Sequence, residues 1–276
     1  MCNVLELDTP NCSLLREMAK PASTDGRIPV ILVDSSTVVG ADIFNPNLWF
    51  GYSKGIVQSC WTEYSVLHHC VRQVTKNCDE IDRHCQTHIA TLQQQWAAAK
   101  FDLGRVVIYA QHPDLHMGIQ AFFSGVKSLL DLLVQLLSSE KIVTVGINGF
   151  HRTTNVYGGT VLNALQNNTP TNWKALSAKV AALVSEHKTS WIDQAISARD
   201  QLVHPERGIH QLMMRLDCVE QQGGLACVQV NPPDIDSVPI SQYAQRVLGQ
   251  ASGFASAYLA LVKEAAVSNH GIAQKL

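Results

Sequence analysis

The sequence predicts a mainly α protein, an up-and-down four-helix bundle with a β-hairpin after the third long helix and an irregular N-terminal arm. Apolar residues recur every three or four positions over four long stretches, which is typical of helices with one buried face. Residues 1–55 lack this period, and a glycine-containing polar segment separates two apolar runs after the third stretch. Since amphipathic helices must cover one another's apolar faces, a bundle is the simplest arrangement.

The same period sets the predicted boundaries of the elements. Residues 1–55 are assigned to the arm and residues 56–276 to the helical bundle. Pro205 is expected to end the third helix, because the residue before a proline is disfavoured in the helical region. A short helix is expected at 160–166, and residues 101–113 are interpreted as a connector that contains the short apolar run 106–109. The four long helices are predicted at 56–100, 114–138, 171–202 and 241–266.

A β-hairpin is predicted between the third and fourth long helices. Its strands are placed at 208–217 and 225–230, on either side of a polar turn that contains two glycines. Cys218 and Cys227 lie symmetrically about the centre of that turn, so they should face each other across the hairpin. The chain has eight cysteines, and without a secretion signal they are expected to be reduced thiols.

Composition limits the classes of function. Of the 276 residues, 46% are hydrophobic and 16% are charged, which allows a large core and argues against disorder. The formal net charge of −2 lacks the basic excess expected of a protein that binds long duplex DNA. The N-terminus does not have the pattern of a signal peptide, and the most apolar run, 129–137, is too short to span a bilayer. We therefore expect a cytoplasmic protein with no membrane partner.

The most site-like feature is a pair of cationic side chains at the end of the third helix. Arg199 offers a planar fork of donors suited to phosphate, and His204 can exchange protons near neutral pH. Asp200 is placed to orient either of them. The alternative interpretation is that both cations only stabilise the negative end of the helix dipole.

The string Arg199-Asp200-x-x-x-His204 resembles the R-x4–6-H motif of HEPN domains (higher eukaryotes and prokaryotes nucleotide-binding), and the resemblance covers roughly residues 114–266. Many members of that family are metal-independent endoribonucleases in which two chains form one composite cleft. The resemblance therefore implies a homodimer in which Arg199 holds the scissile phosphate of RNA. His204 would assist proton transfer as the ribose 2′-hydroxyl attacks, and Asp200 would be a supporting residue.

Five further residues are candidates for supporting this site. Arg207 and His210, together with Arg215, partly offset the negative charge that Glu206 places beside His204. Lys127 and Asp131 stand four residues apart on a helix expected to face Arg199, although a surface ion pair is the simpler interpretation.

Two further hypotheses belong to other classes. Many HEPN-like chains are non-catalytic, so the alternative to a nuclease is a nucleotide-binding or dimeric assembly module. His84 and His88 have the spacing of a metal pair on a helix, but Cys85 beside them lies on the apolar stripe, where a thiol behaves as a small hydrophobe. The sequence therefore predicts neither a metal nor an organic cofactor.

Overall fold

The structure is a computed structural model that describes residues 44–81, 83, 85, 89, 105–110, 112–151, 153, 156–203, 213–221 and 224–269. Over these residues the chain is mainly helical and carries a small antiparallel sheet, which confirms the predicted class. The helices are α1 (Gly51–Asp79), α2 (Pro113–Ser139), α3 (Gly159–Asn167), α4 (Lys174–His187), α5 (Asp193–Val203) and α6 (Ile240–Asn269).

Helix α1 begins a few residues before the predicted boundary at residue 56. The 3₁₀ turn Pro46–Leu48 precedes it, and the side chains of Phe44 and Trp49 are buried in the core. The aromatic rings of Phe44 and Tyr64 lie 5.1 Å apart, so this segment packs on the face that α1 turns inward. Residues 81, 83, 85 and 89 are helical, and the rest of the predicted helix to residue 100 lies outside the described residues.

Helix α2 is the central element of the core. It packs against α1, α5 and α6, and its apolar face is buried along its whole length. The helix begins where Nδ1 of His112 accepts a hydrogen bond from the backbone N–H of Leu115, at 3.1 Å. By length and composition α2 is apolar enough to cross a membrane, and 56% of its most apolar window is buried inside the protein.

The predicted third long helix is present as α4 and α5, joined by a π-helical turn at Lys188–Ile192. Trp191 and Ile192, both in this turn, are buried. The indole Nε1 of Trp191 donates to Nδ1 of His187 at 2.9 Å, and the ring of Phe254 from α6 packs on both side chains. The predicted end of the helix at Pro205 lies outside the described residues.

The sheet has three strands in the order β1 (Arg105–Ala110), β2 (Met214–Gln221) and β3 (Gly224–Asn231). The predicted hairpin is confirmed as β2 and β3, and Cys218 pairs with Cys227 as expected. The interpretation of 106–109 as a connector was wrong, because this segment forms β1 and pairs antiparallel with β2. The register shifts between Asp217 and Cys218, which marks a β-bulge.

Two short strands, β4 (Asp234–Ile235) and β5 (Val238–Pro239), follow the sheet and lead directly into α6. Asp236 and Ser237 join them with positive φ angles of 50° and 63°. The carboxylate of Asp234 accepts the backbone N–H of Ser237 at 3.0 Å, which fixes this tight turn.

Candidate functional site near the end of helix α5

Arg199 lies in the last turns of α5 with its side chain 35% exposed. One amino group of the guanidinium, Nη1, donates to Oδ1 of Asp200 at 3.1 Å. Nε of Arg199 is buried and has no hydrogen-bond partner among the described residues. A buried donor without an acceptor is costly. Since Nε is buried, an acceptor from solvent can reach only the exposed remainder of the guanidinium.

Asp200 is held from a second side. The hydroxyl of Tyr157 donates to Oδ2 of Asp200 at 3.0 Å, so the two carboxylate oxygens bind different partners. The Asp200 side chain is 19% exposed, and both contacts restrict its rotation. The carboxylate therefore orients the guanidinium of Arg199.

Tyr157 owes its position to the turn that starts α3. Gly158 has φ of 65°, in the left-handed region, and is the N-cap residue of α3. A Cβ atom at Gly158 would lie 2.3 Å from Cζ of Phe150, so the ring of Phe150 lies directly against this glycine. Only glycine both adopts this positive φ readily and leaves room for the ring of Phe150.

Lys127 and Asp131 form the predicted ion pair on α2, and both are partly buried. Oδ1 of Asp131 also accepts the backbone N–H of Phe150 at 2.6 Å. The carboxylate thus serves two donors, one on its own helix and one on the loop that follows α2. Nε2 of His151 lies beside it, since a Cβ at Gly149 would be 2.8 Å from that nitrogen and 2.9 Å from Oδ1 of Asp131.

The loop between α2 and α3 contacts both the Lys127–Asp131 pair on α2 and the Arg199–Asp200 pair on α5. Phe150 in this loop donates its backbone N–H to Asp131, and its ring packs on Gly158. Tyr157, which precedes Gly158 in the chain, donates its hydroxyl to Asp200. Helices α2 and α5 also pack directly on each other. The loop therefore links the predicted residues of α2 to those of α5, and Tyr157 and His151 are members that the sequence did not single out.

The remaining predicted site residues are His204, Arg207 and His210. They lie between α5 and β2, outside the described residues. Their placement relative to Arg199 stays a prediction.

A second polar concavity lies on the outer face of the sheet, and sequence reasoning missed it. Side chains from all three strands alternate onto this face, where Tyr109 pairs with Arg215 and Arg215 pairs with Asn231. The cavity has a volume of about 550 Å³ and is closed on one side by the turn between β4 and β5. The signal was available in β2, where the polar residues Arg215 and Asp217 alternate with the buried Leu216.

A hydrogen-bonded network preorganises this cavity. Asp217 is 2% exposed, and its two oxygens accept from Nη2 of Arg215 at 3.0 Å and from Nδ2 of Asn231 at 3.1 Å. Nε2 of Gln229 donates in turn to Oδ1 of Asn231 at 2.8 Å. The hydrogen bond and the charge of Asp217 raise the pKa of Arg215, so the guanidinium stays protonated. The ring of Tyr109, 49% exposed, provides a flat apolar surface beside it.

Of the three residues at the metal-like spacing on the first helix, the structure describes Cys85. Cys85 is buried, and its Sγ contacts Sδ of Met214 at 3.2 Å, as a packed thiol does. No cluster of three or more histidine, cysteine, aspartate or glutamate side chains suited to a metal occurs where side chains are described. His84 and His88 lie outside those residues.

Comparison of the chain with protein-family models, with curated proteins and with solved structures gives no match.

Proposed function

We propose that the chain is a HEPN-like four-helix-bundle protein that cleaves RNA without a metal ion, through Arg199 and His204. The observation that carries the proposal is the guanidinium of Arg199, which is anchored by the partly buried carboxylate of Asp200 and is itself 35% exposed. A phosphate oxygen is the acceptor that best fits such a donor, because charge-assisted bonds to phosphate are short and strong.

The anchoring of Arg199 supports a catalytic rather than a merely stabilising role. A guanidinium whose rotamer is already fixed by Asp200 loses less conformational freedom when it binds an anion. It also needs little reorganisation as negative charge builds up on a phosphate oxygen, which is the basis of electrostatic stabilisation of a transition state. Asp200 acts here as a positioning residue, through Arg199.

The proposed reaction is an internal transesterification. His204 removes the proton from the ribose 2′-hydroxyl, and the resulting oxygen attacks the adjacent phosphorus atom. The P–O5′ bond breaks, and a protonated histidine returns a proton to the departing 5′-oxygen. The products are a 2′,3′-cyclic phosphate and a 5′-hydroxyl. In a homodimer the second copy of the Arg/His pair would supply the proton donor for the leaving group.

The test is cleavage of a mixed RNA pool by the purified protein in EDTA. We expect cleavage with cyclic phosphate ends, lost in Arg199→Ala and in His204→Ala at unchanged circular dichroism. Arg72→Ala on the exposed side of α1 is the matched control for removal of a cation and should cut normally. An uncut RNA pool, or equal cleavage by all variants, would rule out the nuclease. Sedimentation of the same proteins tests the homodimer.

The cavity on the sheet favours a second candidate, a non-catalytic nucleotide-binding module. The ring of Tyr109 offers a stacking surface for a base, and the amides of Gln229 and Asn231 offer donors and acceptors for its edge. Asp234 and Asp236 line the same cavity, so the base rather than the phosphates should enter it.

The two candidates are separated by titration with nucleosides and nucleotides in the absence of RNA. The binding module predicts saturable binding that Tyr109→Ala weakens roughly five- to 150-fold, since stacking contributes about 1–3 kcal/mol per base. Val107→Ala, on the same face of β1, is the control. Binding that is unaffected by Tyr109→Ala but lost in Arg199→Ala would favour the site on α5 instead.

A further inference from the structure

Cys218 and Cys227 are directly opposed in the hairpin, and both are free thiols. The closing pair of the hairpin is Gln221 with Gly224. Antiparallel ladders alternate between hydrogen-bonded and non-hydrogen-bonded pairs, and a two-residue connection makes the closing pair hydrogen-bonded. Three steps further along, Cys218 and Cys227 therefore form a non-hydrogen-bonded pair.

This position is the one in a sheet that suits a cross-strand disulfide. The Cα atoms of a non-hydrogen-bonded pair lie about 4.5 Å apart, and disulfides span Cα separations from about 4.4 Å upward. The side chains of paired residues point to the same face of the sheet. The thiol of Cys227 also acts on that of Cys218 through a hydrogen bond and its charge, so the two sulfur atoms are neighbours.

The two thiols differ in access. Cys218 is 1% exposed, and its burial, followed by the effects of Cys227, raises its pKa to about 11. Cys227 is only half-buried, and its Sγ donates to the carbonyl oxygen of Gln229 at 3.3 Å. An oxidant from solution therefore reaches Cys227 first, and Cys218 is the residue directly opposite it on β2.

We propose that this pair is a redox modification site, at which a hydroperoxide converts the two thiols into a cross-strand disulfide. The thiolate of Cys227 attacks one oxygen of the hydroperoxide, the O–O bond breaks, and a sulfenic acid and a hydroxide or alkoxide ion form. The sulfur of Cys218 then attacks the sulfenic sulfur, an S–S bond forms, and the hydroxyl group leaves as water with the thiol proton. The peroxide is reduced by two electrons, and the two thiols are oxidised by two.

Cys85 is poorly placed to compete with this pair. Cys85 also contacts β2, but at Met214, which is four residues along the strand from Cys218 and about 13 Å away. The bond would lie next to the β-bulge, where the register between β2 and β3 shifts. Oxidation would thus fix the hairpin at its least regular point, beside the residues that line the sheet cavity.

The chain allows a direct test, because cleavage after arginine and lysine releases residues 216–246 as one peptide that contains only these two cysteines. After treatment of the folded protein with hydrogen peroxide and alkylation with a maleimide, we expect this peptide to lack two hydrogen atoms and to carry no label. A reductant should restore two labels. A peptide that is labelled twice after oxidation, or that carries oxygen but no internal disulfide, overturns the proposal.

Matched variants test the order of the steps. Cys218→Ala should accumulate a sulfenic acid on Cys227 that reacts with dimedone, whereas Cys227→Ala should trap little or none on Cys218. Cys70→Ala, a buried thiol on α1, should form the disulfide as the unmodified protein does. Equal dimedone labelling of the two hairpin variants, or labelling of Cys218 alone, contradicts the assignment of Cys227 as the attacked thiol.

Discussion

At the scale of single residues, the carboxylate of Asp131 shows how one side chain can serve both packing and a candidate site. It pairs with Lys127 one turn away on α2 and accepts the backbone N–H of Phe150 from the loop. The first contact follows from spacing alone, because side chains four apart share a helix face. The second could not be predicted, since it depends on where a loop of irregular conformation returns to the helix.

The two contacts of Asp131 should differ in their effect on stability. Asp131→Ala leaves the N–H of the buried Phe150 without its acceptor, and we expect a loss of about 1–3 kcal/mol in the free energy of unfolding. Lys127→Ala removes only a partly exposed ion pair and should cost about 1 kcal/mol or less. Urea denaturation of both variants checks this. Equal losses would mean that the bond to the loop contributes little.

The hydrogen bond between Tyr157 and Asp200 marks the limit of residue-scale prediction at the candidate site. The sequence singled out Arg199 and Asp200 by their place near a helix end and their chemistry. Tyr157 stands 43 positions away from Asp200 and lies outside any helical or strand period that would connect them. Such a contact is created by the tertiary fold and leaves no local pattern in the sequence.

At the scale of elements, the helices were predictable and the sheet only in part. Helices α2, α3 and α6 carry a complete local signal, because their apolar residues recur within each element. The hairpin of β2 and β3 is also local. Strand β1 was missed because it pairs with β2, about a hundred residues further along the chain, and nothing in its own six residues marks that partner.

At the scale of elements, the glycine that starts α3 allows a direct test of how this turn contributes to the free energy of unfolding. Gly158→Ala places a Cβ against the ring of Phe150 at a positive φ, and we expect a loss of about 2–4 kcal/mol. Gly55→Ala, inside α1, meets no atom within 4 Å and should stabilise the protein by about 0.5–1 kcal/mol. Thermal or urea unfolding of the two variants checks the opposite signs. A neutral Gly158→Ala would show that Phe150 can move away at little cost.

At the scale of the whole molecule, two half-buried histidines connect stability to pH. Burial lowers the pKa of His68 and of His187, and the charge of Arg72 lowers that of His68 further. In the unfolded chain these groups bind protons more readily, so protonation favours unfolding. Stability should therefore be fully present above the ordinary histidine pKa and should fall as the pH drops from about 7 to about 5.

His187 allows this pH dependence to be isolated. Its Nδ1 accepts the indole N–H of Trp191, and a protonated imidazole cannot accept. We expect His187→Gln to show a smaller loss of unfolding free energy between about pH 7 and pH 5 than the unmodified protein, measured by urea denaturation at each pH. His69→Gln, on the exposed side of α1, is the control and should keep the full loss. An unchanged slope in His187→Gln would assign the effect to other groups.

The π-helical turn at Lys188–Ile192 has a consequence for everything that follows it. Each residue of an α-helix advances the side-chain direction by about 100°, so one additional residue in a single turn rotates the next segment by that angle about the common axis. Arg199 and Asp200 lie on α5, after the π-helical turn, so their side chains are rotated by the same angle. Deleting the exposed Ser190 should return the helix to an uninterrupted winding and swing the guanidinium through more than a quarter of a circle, away from the hydroxyl of Tyr157. The direction in which Arg199 points is therefore determined two turns upstream, by an irregularity that buries Trp191 and Ile192.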